Sequence, residues 1–359
     1  MAEITGFSDT VTDELHHVLE HLEGNHGDTL VFIADATAPS SNPWVNEVEV
    51  VELDPDGMVL DLIGPHGKLR HDVEFTTPLS GMMDLQAQLF GLLTQARTAN
   101  PDAPLTSIEE EIQGRATIRT HVVTVAARRE VSPSMVEITL AGLDEVEVRG
   151  GDEFWYLMIP PEGAPDAISD GFSMGDIESM PEDRQPHGAS YTTRRRRPEQ
   201  GEIDLWIHTH HDTGVAGWAA SAEPGDTVAL WGPRDAYQPP PDTTHHLLVI
   251  DETGVPAAAA IVESLPNDHP ATIVAEIADA GHELPIETNA ATTVHWVHRA
   301  DGRPLADVIA GLDLDVEGLY AFGAAESRDI SAVRRHLRRD LGMSADAVHM
   351  TGYWRRTVT

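Results

Sequence analysis

The chain has 359 residues, an apolar fraction of 41% and a formal net charge of −37, and this length favours two or three domains rather than one core. The acidity argues against nucleic acids and anionic membranes as partners, because cations must neutralise their phosphates. No apolar run reaches the roughly 18 residues of a membrane helix, and the absence of cysteine excludes disulfides, thiolate metal ligands and Cys nucleophiles.

The pattern of the first hundred residues predicts a small α+β domain. We place its boundaries at residues 1 and 112. The N-terminal stretch lacks the basic and apolar segments of a secretory signal, so we expect a cytoplasmic protein. Apolar residues at helical spacing predict a helix over 11–22, and a second helix is predicted in DLQAQLFGLLTQAR. The runs TLVFIA, WVNEVEVVELD and GMVLDLIG predict strands. The Pro-, Asn- and Asp-rich stretch ANPDAPLTS predicts a linker.

The rest of the chain predicts two further domains. Over residues 113–240, six short strand-like runs separated by turn residues predict an antiparallel six-stranded β-barrel. Between Pro160 and Ser190, an acidic, Gly- and Pro-rich segment with little periodicity predicts a mobile loop. Over residues 241–359, strand-like and helical runs alternate from HHLLVIDE to AVHMTGYW, which predicts a doubly wound α/β domain.

Six short motifs, in a fixed order and spacing, carry a family resemblance. They are Tyr191-Thr192, Gly214–Ala219, Pro224-Gly225-Asp226, Gly232-Pro233-Arg234, Asp251–Ala257 and Gly352–Arg355. With them, the chain from about residue 115 onward resembles the siderophore-interacting branch of the ferredoxin-reductase superfamily. The resemblance implies an FAD-binding barrel, a nucleotide-binding α/β domain and reduction of a ferric siderophore. NADH, NADPH or a reduced ferredoxin would supply the electrons.

The resemblance assigns the flavin-binding and catalytic roles to Tyr191 and Thr192. A strand that ends in these residues can pack a flavin ring and hydrogen-bond its reactive edge, although an isolated Tyr-Thr pair would be ordinary strand. The segment from Gly214 opens a helix whose backbone N–H groups would face the pyrophosphate. The other expected cofactor contacts are Thr193, Arg194, His208, Val215, Ala216, Trp218, Thr253, Gly254, Glu326 and Trp354.

One departure from the family pattern concerns the charge opposite the flavin pyrophosphate. The family arginine two positions before the tyrosine is Ala189 here. Arg194 or its neighbours would replace that charge, or else the arginine run is a solvated strand end. We also expect an anionic ferric chelate to be attracted by Arg195, Arg196, Arg197 and Arg234. If flavin binding was lost with the arginine, the protein is instead a non-enzymatic module that binds an iron chelate.

Residues 15–95 resemble the small domain appended to split-barrel haem-degrading proteins, through the segment from His21 to Leu30. This second resemblance implies an alternative function in which the N-terminal domain binds haem, or presents it for reduction or degradation. His21 and His26 would then be the iron ligands. Alternatively, His26 caps the preceding helix and Asp28 bonds the next turn. The residues leave both alternatives open, and we assign no other metal site.

Overall fold

The computed structural model describes residues 2–356 except 39–44, 66, 145, 148, 210–213, 285 and 288–290. The chain divides into two compact units, Met1–Arg115 and Ala116–Thr359. The predicted boundary after residue 112 lies close to this division, whereas the predicted boundary after residue 240 falls inside the second unit. None of the described helices is both long enough and apolar enough to cross a membrane.

The first unit packs helices against a four-stranded sheet in an α+β arrangement. Its elements are β1 (Glu3–Ile4), α1 (Asp9–Asn25), α2 (Gly27–Thr37), β2 (Glu47–Asp54), β3 (Gly57–Gly64), β4 (Gly67–Glu74) and α3 (Met82–Ala99), followed by α4 (Ser107–Thr117). The strand order is β1-β2-β3-β4, with β1 parallel to β2 and the other pairs antiparallel. Apolar side chains of α1, α2 and α3 form one core with the sheet.

The first unit corrects one prediction and adds one strand. The run TLVFIA lies in helix α2, so the strand predicted there is wrong. Leu30, Ile33 and Ala34 are buried at helical spacing, and a short apolar run does not by itself distinguish a strand from a buried helix. Strand β4 was not predicted because most of its residues are exposed and no apolar pattern marks it.

The second unit begins with a closed antiparallel barrel of six strands, as predicted. The strands are β5 (Thr120–Ser132), β6 (Met135–Ala141), β7 (Phe154–Ile159), β8 (His187–Arg197), β9 (Glu202–His208) and β10 (Thr227–Arg234). They close in the order β10-β5-β6-β9-β8-β7. Helices α5 (Met174–Glu178) and α6 (Gly214–Ser221) belong to the connections, and α6 packs Val215 and Ala219 into the barrel core.

The segment between strands β7 and β8 is folded, so the predicted mobile loop is wrong. It contains helix α5, which begins with a capping box at Ser173 and Asp176. Ile168 and Ile177 are buried beside Trp231 at the barrel wall. Phe172, Met174 and Met180 pack against the same cluster, but these scattered apolar residues produce no periodicity that the sequence could reveal.

A five-stranded parallel sheet follows the barrel within the same unit. Its elements are β11 (His245–Asp251), α7 (Val255–Ser264), β12 (Ala271–Ile277), β13 (Thr292–His298), α8 (Leu305–Ala310), β14 (Leu319–Glu326), α9 (Ser327–Arg335) and β15 (Val348–Trp354). The order is β13-β12-β11-β14-β15, with every pair parallel. Helix α7 covers one face, and α8 and α9 cover the other. The doubly wound α/β prediction is confirmed.

A histidine and an aspartate with oppositely shifted pKa values are buried near Tyr237. The Tyr237 hydroxyl lies 2.5 Å from Nδ1 of His246, which is 2% exposed. Burial, with the charges of neighbouring histidines, lowers the pKa of His246 to about 4. Burial raises the pKa of Asp152 to about 6, although the backbone N–H groups of Tyr237 and Ala236 donate to it. His246 therefore makes the second unit less stable in mild acid, whereas Asp152 has the opposite effect.

We expect the unfolding free energy to increase with pH between pH 4.5 and 6.5, and His246→Gln to reduce the slope of this increase. In the native protein His246 stays neutral while the unfolded chain binds a proton, so its stabilising contribution is present above pH 6.5 and is lost as the pH falls toward about 4. The slope should fall by up to about 1.4 kcal/mol per pH unit. Urea unfolding followed by tryptophan fluorescence measures it, since six of the seven tryptophans lie in the second unit.

Asp152→Asn is the matched control, because its effect has the opposite sign. Between pH 3.8 and about 6, Asp152 is protonated in the folded protein but ionised in the unfolded chain. Its stabilising contribution is therefore present below pH 3.8 and is lost as the pH rises toward about 6. Removing the carboxylate should therefore steepen the same curve. Slopes that change in the same direction in both variants would contradict the assignment.

Candidate active site

A cavity of about 460 Å³ lies between the barrel and the parallel sheet of the second unit. This volume lies within the range of about 300–1,000 Å³ that is usual for small-molecule sites. The lining residues are Phe154, Ala189, Ser190, Tyr191, Thr192, Trp206, His208, Arg234, Ala236, Thr253, Pro256, Phe322, His349, Thr351, Gly352, Tyr353 and Trp354. Aromatic rings form much of the cavity wall. Its polar groups are mainly hydroxyl groups, and Arg234 is its charged arginine.

Strand β8 brings Tyr191 and Thr192, the two residues predicted to bind the flavin, to this cavity. Thr192 is 5% exposed, and its side chain lies near the hydroxyl of Tyr353, whose pKa burial raises. Burial raises the pKa of Tyr191 to about 12, so its phenol stays protonated and can donate a hydrogen bond. An aromatic wall next to paired hydroxyl groups suits a flat heteroaromatic ring with a polar edge.

Strand β15 contributes cavity residues that the sequence identified only in part. His349 stacks on Phe322 with 5.6 Å between ring centroids, and its Nε2 lies 3.0 Å from the Thr351 hydroxyl. The indole Nε1 of Trp354 donates to Asp251 at 2.6 Å, which holds the ring over the start of α7. The terminal Gly-Tyr-Trp motif pointed to Trp354, whereas no sequence signal marked His349.

The arginine run after Thr193 is paired with the protein's own carboxylates. Arg194 donates to both carboxylate oxygens of Glu263 at 3.0 and 2.5 Å, and its guanidinium lies 4.8 Å from the Trp206 ring centroid. The other pairs are Arg195 with Glu287, Arg196 with Glu153, and Arg197 with Glu202 and Asp204. Only Arg195 of the run is largely exposed. Among the described lining residues, Arg234 is the arginine of the cavity.

Several residues predicted to contact a cofactor do not line the cavity. Thr193 belongs to a buried network, in which its hydroxyl donates to Glu153 and accepts from Trp155 Nε1, each at 3.0 Å. Glu326 caps α9 by accepting from the backbone N–H groups of Arg328 and Asp329. Gly214, Val215, Ala216, Trp218 and Gly254 also lie outside the lining, whereas His208, Thr253 and Trp354 belong to it. His210 and His211, beside His208, lie outside the described residues.

In the first unit, the structure gives His26 protein partners. Its Nδ1 lies 2.9 Å from the Ser107 hydroxyl and its Nε2 lies 3.5 Å from Glu111. Asp28 accepts from the backbone N–H and the hydroxyl of Ser107 at 2.7 and 2.5 Å, so it caps α4 rather than the next turn. The His21 ring packs edge-on against His26. Across the described residues, no three or more His, Cys, Asp or Glu side chains are arranged to hold a metal ion.

Comparison with known families identifies both parts of the second unit. The siderophore-interacting FAD-binding domain matches residues 124–237, and the siderophore-interacting protein domain matches residues 243–357. The ferric vibriobactin reductase ViuB of Vibrio cholerae is 28% identical over 240 residues, which cover 64% of this chain and 87% of ViuB. The NADPH-dependent ferric-chelate reductase of Escherichia coli is 34% identical over 160 residues, which cover 42% of this chain and 59% of that enzyme.

Solved structures show the same fold. The siderophore-interacting protein SipS from Aeromonas hydrophila superposes with a TM-score of 0.58 at 26% identity, over 67% of this chain and 94% of SipS. A ferredoxin reductase of carbazole 1,9a-dioxygenase superposes with a TM-score of 0.51 at 15% identity, over 66% of this chain and 70% of that chain, and shows the fold alone. Neither family match includes the first unit, where the haem hypothesis stays a prediction.

The cavity fits the ring system of FAD better than its charged pyrophosphate. The walls supply aromatic surface and the hydroxyl groups of Thr192 and Tyr353 for the ring. On the phosphate side, Ala189 lines the cavity where the family pattern has arginine, and Arg194 is bonded to Glu263. Arg234 stacks on Phe154 and Trp231. We therefore expect FAD to bind, but with the affinity lowered by the missing charge.

Ala189→Arg should tighten FAD binding about tenfold, because a charge-assisted hydrogen bond to phosphate contributes roughly 1.5–3 kcal/mol. Fluorescence titration of the apoprotein with FAD measures the dissociation constant. Ala189→Gln is the control for side-chain size without charge and should leave affinity near the wild-type value. Equal gains in both variants, or no gain with arginine, would show that charge at this position does not limit binding.

Proposed function

The chain belongs, over residues 124–357, to the siderophore-interacting protein family, and we propose that it reduces a ferric siderophore through FAD with NADH or NADPH as donor. The family and its named reductases make it a flavoprotein oxidoreductase of the ferric-chelate reductase type. The observation that carries the proposal is the aromatic cavity where Tyr191 and Thr192 meet the last strand of the parallel sheet. Release of Fe(II) in the cytoplasm is part of the proposal.

The reaction moves electrons and leaves the siderophore intact. FAD, when bound, accepts a hydride and passes its electrons on singly. One NAD(P)H therefore reduces two ferric ions to Fe(II) and yields NAD(P)⁺ and one proton. Hard oxygen ligands hold Fe(II) less tightly than Fe(III), so reduction itself weakens the complex and no covalent bond of the chelator needs to break.

The residues of the cavity orient the reactants and exclude water. Tyr191 provides a wall with a neutral hydroxyl, and the neighbouring hydroxyl groups of Thr192 and Tyr353 would present polar atoms to the ring edge. Arg234 gives the cavity a positive charge that would attract an anionic chelate, and His208 lines the same wall. Arg196 and Arg197, which the sequence assigned to substrate binding, are paired inside the protein and are not part of this proposal.

Thr192→Val should slow reduction of the bound flavin by about fivefold, because it removes a hydroxyl that would hydrogen-bond the ring and a hydrogen bond typically contributes about 1 kcal/mol. It also changes the surroundings of the nearby Tyr353 hydroxyl. Stopped-flow absorbance after mixing with NADH or NADPH measures the rate. Tyr353→Phe is the paired variant. If Thr192 acts only by holding Tyr353, the two variants should be equal, and if Thr192 contacts the ring, Thr192→Val should be slower. Unchanged flavin content and rate in Thr192→Val would remove Thr192 from the site.

The proposed function is tested by absorption spectroscopy of the purified chain. We expect a flavin band near about 450 nm after addition of FAD, which bleaches anaerobically with NADH or NADPH. A ferric chelate should then restore the band, with two Fe(II) ions trapped per dinucleotide consumed. A protein that takes up no FAD would instead favour a non-enzymatic iron-chelate module. Bleaching without reoxidation by any ferric chelate would retain the flavoprotein and reject the substrate.

A further inference from the structure

The electron donor of the proposed reaction would approach the carboxyl edge of the parallel sheet. In doubly wound sheets, dinucleotides bind outside the carboxyl ends of the strands, where the strand order reverses. Here that reversal lies between β11 and β14. An acidic residue about 20 positions after the first strand-to-helix turn commonly accepts from the ribose 2′-hydroxyl. Glu276, near the end of β12, occupies that position.

Arg299, which follows β13, is bonded to two carboxylates at this edge. Its NH1 and NH2 groups donate to Glu252 at 3.0 and 2.5 Å, and its Nε donates to Glu276 at 3.1 Å. Glu252 is 5% exposed and Glu276 is 8% exposed. The arginine therefore neutralises only one of two buried charges, and a phosphate would have to displace a bidentate carboxylate to reach it.

The hydrogen-bond donors just before α7 also have a carboxylate partner within the protein. Helix N-termini commonly bind phosphate through backbone N–H groups, but Asp251 already accepts from the N–H and hydroxyl of Thr253 at 2.8 and 2.6 Å. Gly254 N–H donates to the Asp251 carbonyl, and Pro256 has no N–H. The carboxylate of Asp251 thus takes two donors of this turn, so the pyrophosphate of either dinucleotide would rely on the later backbone N–H groups at the start of α7.

The other cations beside Arg299 are also close to carboxylates. On the β12–β13 side, His282 pairs with Asp279, His298 with Glu283, and Arg303 with Asp301. Arg328 is exposed in the first turn of α9, and in the same turn Asp329, which interacts with Arg299, pairs with Arg356. The adenosine side of the edge is therefore suited to a neutral ribose and unfavourable for an added dianion.

We propose that Glu276, with Glu252 and their shared partner Arg299, makes the donor site select NADH over NADPH. The free 2′-hydroxyl of NADH can donate to the Glu276 carboxylate, whereas the 2′-phosphate of NADPH would meet buried negative charge. This inference rests on the proposed function and adds the donor to it. It distinguishes this chain from its Escherichia coli relative, which is named as NADPH-dependent.

The FAD-loaded wild-type protein tests the selectivity without any substitution. We expect kcat/KM for flavin reduction to be at least about tenfold higher with NADH, since opposing like charges cost several kcal/mol before screening. Calorimetric titration with NAD⁺ and NADP⁺ should show the same preference in binding. The preference should shrink as NaCl rises from about 0.05 to about 0.5 M. Equal use of both donors, or a preference for NADPH, would overturn the inference and leave the proposed function standing.

Glu276→Gln identifies the responsible residue. Removing this charge also releases one donor of Arg299, so binding of NADP⁺ should improve about tenfold while NAD⁺ gains nothing. Glu317→Gln is the control, since the exposed Glu317 precedes β14 at the opposite edge of the sheet and makes the same charge change. If Glu317→Gln shifts the ratio equally, overall charge rather than Glu276 sets it.

Failure of the proposed function gives a different pattern. Neither dinucleotide would bind or bleach the flavin, although chemically reduced protein would still transfer electrons to a ferric chelate. That result would reject the nicotinamide donor, and the selectivity with it, in favour of a protein donor such as a reduced ferredoxin.

Discussion

The bidentate ion pair between Arg194 on β8 and Glu263 on α7 joins the barrel to the parallel sheet, and the cavity depends on it. Its guanidinium is 3% exposed and lies over Trp206, which lines the cavity. Removing Glu263 would leave the buried Arg194 guanidinium without its carboxylate partner, although the partly exposed Glu263 lets solvent screen the pair. The pair therefore ties β8, which carries Tyr191 and Thr192, to helix α7 of the parallel sheet beside the cavity.

This use of arginine limits how the protein can bind anions. The chain has 23 basic residues against 60 acidic ones, and the best-placed guanidinium groups are committed to internal carboxylates. Arg196 lies in the buried network of Glu153, and Arg299 joins Glu252 to Glu276. A position such as 189, where alanine replaces the family arginine, cannot be compensated by neighbours that already have partners. We therefore expect weak phosphate binding, because the ion pairs that hold the acidic chain together use its arginines.

The sequence predicted the barrel and the parallel sheet because their periodicity is local, but it could not predict where side chains find partners. The buried run of β11 and the alternating strands of the barrel carry their own pattern. The partner of Arg194 is 69 residues away, and only the packing of α7 on β8 brings them together. The same limit explains His349, which reaches the cavity through the order of strands. Tyr191 and Thr192 were found because a motif, rather than periodicity, marked them.

The two ends of the proposed electron path differ in charge, and the difference suits the chemistry. Arg234 lines the cavity that would receive a ferric chelate, whereas Asp251, Glu252, Glu276 and Glu326 line the carboxyl edge of the sheet. A nicotinamide ring gains positive charge as its hydride leaves. Fixed negative groups near the ring stabilise this positive charge as it develops. The excess carboxylates of an acidic protein can thus serve at the carboxyl edge of the sheet, where the electron donor would bind. A site for the 2′-phosphate would instead need arginines, and in this chain the best-placed of those are paired with internal carboxylates.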